Sequence, residues 1–269
     1  MYKLLAIDMD GTLLNEHHEV TIEVREALDQ VRAKGVKVVL CTGRPLAGVQ
    51  SYIKKLQLDG EEDFIIINNG AIVQNTSTNE VISKQFLNYQ DLTLIHQISY
   101  ELQTPMHFFD ENCLYTTNKL ISPYTVYEAY VTKIPFRYTA FDDVPRDIEI
   151  PKAMFIDEPA LLNQTIERIP AIMKERYMLV KSMPFYLEIL HKEVNKGAAI
   201  KQLAEKLGIR REEVLAIGDN ANDLSMIQFA GCGVAMGNAI PAIKAIADYE
   251  TTSNNENGVA RAIYDLLLT

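Results

Sequence analysis

Lys3-Leu4-Leu5-Ala6-Ile7-Asp8-Met9-Asp10-Gly11-Thr12-Leu13-Leu14 sets an apolar run directly against two carboxylates and a Gly-Thr pair. The four apolar residues at 4–7 read as a short, fully buried strand. Side chains alternate along extended chain, so Asp8 and Asp10 leave the strand end pointing the same way. Two like charges placed side by side and partly buried are costly unless something cationic lies between them. Gly11 lets the backbone turn tightly and lets another group come close. On its own the stretch also reads as a strand ending in a solvated acidic turn, and the rest of the chain has to decide.

Residues 15–20 are polar and read as a loop. Its His17-His18 pair points to opposite sides, so solvated loop residues outweigh a metal pair. Thr21 has the chemistry of a helix N-cap, and Ile22, Ala27, Leu28 and Val31 make an apolar stripe that ends at Gly35. Val36-Lys37-Val38-Val39-Leu40 is a second buried strand, closing on Cys41-Thr42-Gly43-Arg44. Pro45 suits the first turn of a helix running to about Leu56. Phe64-Ile65-Ile66-Ile67 is a third strand, ending in Asn68-Asn69-Gly70. Strand and helix alternating in this way predict an α/β fold, a Rossmann-like, doubly wound parallel sheet. Ligands in such sheets bind beyond the carboxyl ends of the strands, where Asp8, Asp10, Thr42, Arg44 and Asn69 all fall.

The pattern then changes. Residues 71–73 and 81–86 read as a hairpin. From about Asn88 to Leu190 strands come in pairs, with helices at 91–102, 123–130 and 159–175 and a loop through Pro135 and Pro145. That is an α+β pattern, and it predicts an inserted domain over 86–188. The insertion is rich in tyrosine, whose amphipathic rings serve as half-buried packing or as a ligand or dimer surface. Alternation resumes at Asn195-Lys196-Gly197, followed by the strand Val214-Leu215-Ala216-Ile217 and the turn Gly218-Asp219-Asn220-Ala221-Asn222-Asp223. The core domain is therefore discontinuous, over 1–85 and 189–269.

The chain carries 26 Lys plus Arg against 36 Asp plus Glu, a net charge of −10. Such a surface repels nucleic acid and anionic lipid, so neither is an expected partner. No apolar run approaches the ~20 residues that span a bilayer, and the N-terminus lacks a secretory pattern. Cys41, Cys113 and Cys232 are far apart and suit reduced, buried thiols. These features predict a soluble cytoplasmic protein.

Asp8, Asp10, Thr42, Lys196, Asp219, Asn222 and Asp223 all lie at expected strand ends. Four carboxylates in one crevice repel strongly at low effective dielectric, and a hard divalent cation removes the difficulty. Oxygen-only ligands select Mg²⁺ over zinc or copper. Lys196, the Thr42 hydroxyl and the backbone amides near Met9 and Asp10 then complete an anion cradle. A strand-end Asp beside such a cation can attack phosphorus, and an acid two residues on can protonate the leaving oxygen and later activate water. Singly, each residue has a plain alternative: Lys196 a surface residue opening a helix, Asp219 an N-cap. Three separate strands converging on the same chemistry make that alternative poor.

Asp8-Met9-Asp10-Gly11-Thr12, Thr42-Gly43-Arg44, Asn195-Lys196-Gly197 and Gly218-Asp219-Asn220-Ala221-Asn222-Asp223 resemble the four motifs of the haloacid dehalogenase superfamily. Met226 after the fourth motif and the large insertion between the second and third are similar to its Cof-type phosphatases, which carry a type C2 cap. The resemblance covers the whole chain. It implies Asp8 as nucleophile and metal ligand, and Asp10 as general acid/base and a metal ligand through its backbone carbonyl. It further implies Asp219 as a Mg²⁺ ligand with Asp223 supporting it, and Met9, Thr42, Gly43, Lys196 and Asn222 around the phosphate. Arg44, Asn69 and Glu188 are expected at the rest of the substrate. The implied activity is Mg²⁺-dependent hydrolysis of small phosphate esters, sugar phosphates above all, with the cap closing over the crevice. A phosphomutase and a catalytically silent phosphate-binding module are the alternatives, and a homodimer is an open option.

Overall fold

In the computed structural model, which describes residues 1–268, strand β1 (Leu4–Asp8) is buried along its whole length. Helix α1 (Ile22–Ala33) follows, with the Thr21 side chain accepting from the Val24 amide and Val24, Ala27, Leu28 and Val31 turned inward. Next come β2 (Lys37–Cys41), a single 3₁₀ turn at Leu46–Gly48, α2 (Gln50–Lys55) and β3 (Phe64–Ile67). Val49 thus interrupts the continuous 45–56 helix that the sequence reading expects. The hairpin β4 (Ile72–Asn75) and β5 (Val81–Lys84) pairs antiparallel onto β3.

The chain then builds α3 (Tyr89–Leu102), β6 (Met106–Phe109), β7 (Leu114–Thr116), α4 (Pro123–Thr132) and β8 (Phe136–Tyr138). It continues through β9 (Ala153–Ile156), α5 (Pro159–Arg168), α6 (Ala171–Arg176), β10 (Tyr177–Met183) and β11 (Tyr186–His191). Strand β8 lies where the sequence reading has only a loop: three residues with two exposed side chains carry little periodicity. The expected 159–175 helix is two helices, because Pro170 holds Ile169 out of the helical region. The return segment forms α7 (Lys196–Lys206), β12 (Val214–Gly218), α8 (Leu224–Phe229), β13 (Cys232–Ala235), α9 (Pro241–Lys244), β14 (Tyr249–Glu250) and α10 (Gly258–Leu267).

The chain divides into two compact units. The first comprises Met1–Gly43, Val49–Lys84 and the chain from Asn195; the second comprises Arg44–Gly48 and Gln85–Val194. A border at 188 would cut through β11. The first unit holds an eight-stranded sheet in the order β14-β13-β12-β1-β2-β3-β4-β5. Its six strands from β14 to β3 run parallel. From β1 the chain winds outward through β2 and β3, then returns to β12 and winds the other way. The order therefore reverses between β1 and β12, which are neighbours, and that reversal opens a crevice at their carboxyl ends.

The second unit holds a six-stranded sheet, β10-β11-β9-β6-β7-β8, antiparallel except for β7 against β8. Its strands alternate cleanly. Met106, Phe108, Ala153, Phe155, Leu187 and Ile189 pack with α3, α5 and α6, while Phe109, Met154, Ile156 and Tyr186 join Tyr124 of α4 on the other face. No helix among the described residues is long and apolar enough to cross a membrane.

Candidate active site

Asp8 is the last residue of β1 and Asp219 follows the last residue of β12, so the strand reversal itself sets these two carboxylates side by side. Asp8, Asp219 and Asp223 each offer an oxygen to one cluster whose atoms lie within 4.8 Å of one another. Lys196 enters it from the first turn of α7, a helix whose N-cap Asn195 accepts from the Ala198 amide. The Lys196 side chain is wholly buried, and its Nζ donates to Asp8 Oδ1 at 2.5 Å and Asp223 Oδ1 at 2.7 Å. Asp223 is locked from behind, because its Oδ2 accepts from the backbone amides of Asp219 and Asn220 at 2.9 and 3.0 Å. Thr12 donates its hydroxyl to Asp219 Oδ1 at 2.7 Å.

Three carboxylates face one ammonium. Burial, followed by Asp223, pushes the Asp8 carboxyl well up from the usual carboxylate range, and Lys196 only partly offsets this. Burial likewise raises Asp219 to about 6, against the hydrogen bond from Thr12. Burial alone would lower the Lys196 ammonium, but Asp223 and Asp8 outweigh it and push it up, so it stays charged. This cluster retains an excess of negative charge in a low-dielectric place, which is the environment a hard divalent cation neutralises. The backbone leaves it room. A Cβ on Gly11, whose φ is +85°, would stand 2.5 Å from Asp219 Oδ2. Oxygen donors alone, with no sulfur or imidazole in the cluster, fit Mg²⁺.

A second set of expected residues gathers beside the end of β2. Thr42 is buried, its amide bonded to the Ile66 carbonyl and its carbonyl to the Asn69 amide, both at 2.9 Å. Asn68, Asn69 and Gly70 take left-handed conformations in succession (φ 50°, 58° and 99°), a tight turn that asparagine and glycine tolerate. The turn presents the Asn69 Oδ1, which accepts from Asn222 Nδ2 at 3.1 Å. A Cβ on Gly43 would lie 3.1 Å from that same Asn69 oxygen. Met9 is fully buried, so its side chain offers nothing to an anion.

The other expectations land differently. Asp10 is half-exposed, with His18 Nδ1 3.8 Å from its Oδ1. Arg44 falls in the second unit, where it donates to the Gly48 carbonyl at 3.3 Å. Glu188 also belongs to the second unit; it is buried with Lys152 Nζ at 3.4 Å, and Lys152 also meets Glu128 at 3.5 Å. His17 and His18 are solvated loop residues, as expected. Two residues around the first loop have no role in the sequence reading: Thr12, and Asn238, which donates to the Gly11 carbonyl at 2.8 Å from 227 residues away with no local signal.

Comparison with known proteins gives the family and the fold. The profile of the haloacid dehalogenase-like hydrolases matches residues 5–263. A Bacillus subtilis (strain 168) protein named "Putative phosphatase YxeH" is 59% identical over 268 residues, spanning 100% of this chain and 99% of its own. A solved haloacid dehalogenase-like hydrolase from Bacteroides thetaiotaomicron superposes with a TM-score of 0.87 at 32% identity, covering 99% of this chain and 100% of that one. The structure of BT4131, described as a subclass IIB sugar phosphatase, superposes with a TM-score of 0.79 at 26% identity over 98% of both chains. The chain is a member of the haloacid dehalogenase-like hydrolase family, built on that family's α/β fold.

Proposed function

We propose that this phosphatase hydrolyses small phosphorylated metabolites, sugar phosphates in particular, through a phosphorylated Asp8 and with Mg²⁺ as cofactor. The observation that carries the reading is the wholly buried Lys196 ammonium held between Asp8 and Asp223, with Asp219 completing the cluster. Simple phosphate binding needs cations and amides, but no carboxylate aimed at the anion. The sugar-phosphate class is supported by the likeness to the sugar phosphatase BT4131.

Asp8 and Asp219 would hold the metal, with Asp223 behind them and the Asp10 backbone carbonyl alongside. When bound, the ion neutralises carboxylate and phosphate charge together. Asp8 attacks phosphorus, forming an Asp8 Oδ–P bond as the ester P–O bond breaks and its electron pair leaves with the sugar oxygen. Asp10 gives that oxygen its proton, which its half-exposed position suits. It then removes a proton from water, which attacks phosphorus and frees Asp8. Lys196 balances charge on the transferring group throughout. Thr42, Gly43 and Asn222 hold the remaining phosphate oxygens.

The three cysteines are buried and unpaired, which supports a reducing, cytoplasmic setting. Val126, Tyr127, Tyr130 and Val131 lie exposed on α4 and support a homodimer; sedimentation as a 30.4 kDa species would remove it. The central test is turnover of p-nitrophenyl phosphate. Chelation should abolish it, Mg²⁺ should restore it, and Asp8→Asn should lower it by at least about 10³-fold. Unchanged turnover in Asp8→Asn would overturn the mechanism. Phosphate release across a panel of sugar phosphates, nucleotides and small organic phosphates then names the substrate.

A further inference from the structure

Asp10 opens a turn whose two ends are held by asparagines from far along the chain. Asn238 Nδ2 donates to the Gly11 carbonyl at 2.8 Å, and Asn254 Nδ2 donates to the Leu14 carbonyl at 2.8 Å. The two asparagines are themselves joined, because the Asn254 amide donates to Asn238 Oδ1 at 3.0 Å. A bridge between Asp10 and Leu14 closes the same turn from within. The Leu13 and Leu14 amides return to the Asp8 and Met9 carbonyls at 3.2 and 2.9 Å. Further out, Asn255 Oδ1 accepts from the Glu16 amide at 2.9 Å, and Asn257 Oδ1 accepts from the Thr21 hydroxyl at 2.8 Å. All of these residues lie in the first unit.

The strap has a scaffold of its own. Asn254, Asn255 and Asn257 sit in one short segment with a 3₁₀ turn at Asn254–Glu256. The Ser253 amide and hydroxyl donate to Glu256 Oε2 at 3.2 and 2.7 Å and set that turn. The Gly237 amide donates to the Thr252 carbonyl at 3.0 Å, which draws Asn238 against the segment. The approach is close: a Cβ on Gly237 would stand 2.8 Å from the Ser253 nitrogen, and one on Gly258 would run into the Thr252 carbonyl oxygen. A carboxamide both donates and accepts, so Asn238 holds Gly11 while Asn254 fixes its orientation. Asn238 is exposed and Asn254 half-buried, so their side chains fill no core space. What they fix is the backbone on the far side of Asp10.

We propose that Asn238 and Asn254 are positioning residues: by holding the Gly11 and Leu14 carbonyls they keep the Asp10 carboxyl aimed at the leaving oxygen. The proposal rests on the reading of Asp10 as the acid that protonates that oxygen. Proton transfer needs a short, aligned path, and a displacement near 1 Å is enough to cost about 10²-fold. Gly11, at φ +85°, gives the turn a flexible joint next to Asp10, and the strap is what stills it.

The test separates leaving groups. p-Nitrophenolate leaves unaided, whereas phenolate, as basic as a tyrosine side chain, gains from a proton. The kcat/KM of each ester covers the steps up to departure of that group. In the Asn238→Ala/Asn254→Ala pair, kcat/KM should fall at least about tenfold with phenyl phosphate and less than about threefold with p-nitrophenyl phosphate. Asp10→Asn should widen the same gap further. Asn257→Ala loses a hydrogen bond of the same kind and a residue suited to its φ of 59°, but its partner Thr21 lies beyond the turn. It controls for lost stability and should open no gap. Hydrogen exchange of the full chain without added metal gives a reading free of turnover: amides of residues 12–16 should exchange at least about tenfold faster in the pair than in the parent. Equal slowing of both esters, unchanged exchange, or the same gap in Asn257→Ala overturns the proposal and leaves the role of Asp10 standing. If Asp10→Asn itself opens no gap, the acid role falls and the positioning role falls with it.

Discussion

Lys196→Met is the most informative single perturbation of the cluster. It keeps the length and apolar stem of a fully buried side chain but removes the ammonium that lies 2.5 Å from Asp8 and 2.7 Å from Asp223. At an effective dielectric of ~20 each of those contacts is worth about 6 kcal/mol before desolvation. The desolvation of three buried charges cancels much of that, and breaking such a cluster from one side typically costs about 3–5 kcal/mol. Spread over a chain of this size, the loss should lower the melting temperature by roughly 6–20 °C. Turnover of p-nitrophenyl phosphate should fall about 10²–10³-fold, since the ammonium balances transition-state charge. Adding Asp223→Asn to Lys196→Met removes one of the stranded carboxylates, so the double variant should recover part of the stability and none of the activity. Differential scanning calorimetry of the parent, both single variants and the pair closes a double-mutant cycle. A Lys196→Met chain that melts within 2 °C of the parent, or a pair that behaves additively, would falsify the view that this ammonium holds the cluster together.

Three further outcomes test the surrounding structure. His107 is fully buried, its Nδ1 3.2 Å from Thr125 Oγ1 and its Nε2 3.1 Å from Met154 Sδ, and burial followed by Lys152 lowers its pKa to about 3. Its folded ring stays neutral while the unfolded ring protonates below ~6.5, so stability should fall as the solution is acidified, by about 2 kcal/mol at pH ~5. His107→Gln should flatten that slope in pH-dependent melts, and an unchanged slope refutes the assignment. Glu213 is lowered from 4.5 to about 2, chiefly by Lys3 and then by the Arg210 amide and side chain. Its stabilisation is present above 4.5 and lost as pH falls toward 2, so Glu213→Gln should lose less stability than the parent across that window. Gly197 follows Lys196, and a Cβ there would run into the Ser225 carbonyl oxygen. Gly197→Ala should cost about 1–3 kcal/mol by overpacking α7 against α8 and slow turnover by displacing Lys196; a fully active, equally stable variant counts against the tight fit.

The strands of the core were legible because a parallel sheet buries both faces and writes each strand as a continuous apolar run. Leu4–Ile7, Val38–Leu40 and Val214–Ile217 all carry that mark. Short or half-exposed elements do not: β8 and β14 are three and two residues long, and pairing with a neighbour, rather than their own composition, makes them strands. The same limit governs the site. Asp8, Asp219 and Asp223 could be named from their turns, yet Thr12 and Asn238 could not be given roles, since each acts on a group that only folding brings near.

Residue type and order by themselves determined the alternating core, the interruption by a second unit and the acid, hydroxyl and lysine positions at the strand ends. Those follow from local periodicity and turn chemistry, which act over a few residues. Only the tertiary structure decided that β1 and β12, more than 200 residues apart, are neighbours where the winding reverses. It also decided that Lys196 is buried between two carboxylates rather than solvated at a helix start, and that Glu188 spends its charge on Lys152. An ionised side chain is defined by the dielectric and the partners around it, and neither is written in its neighbours along the chain.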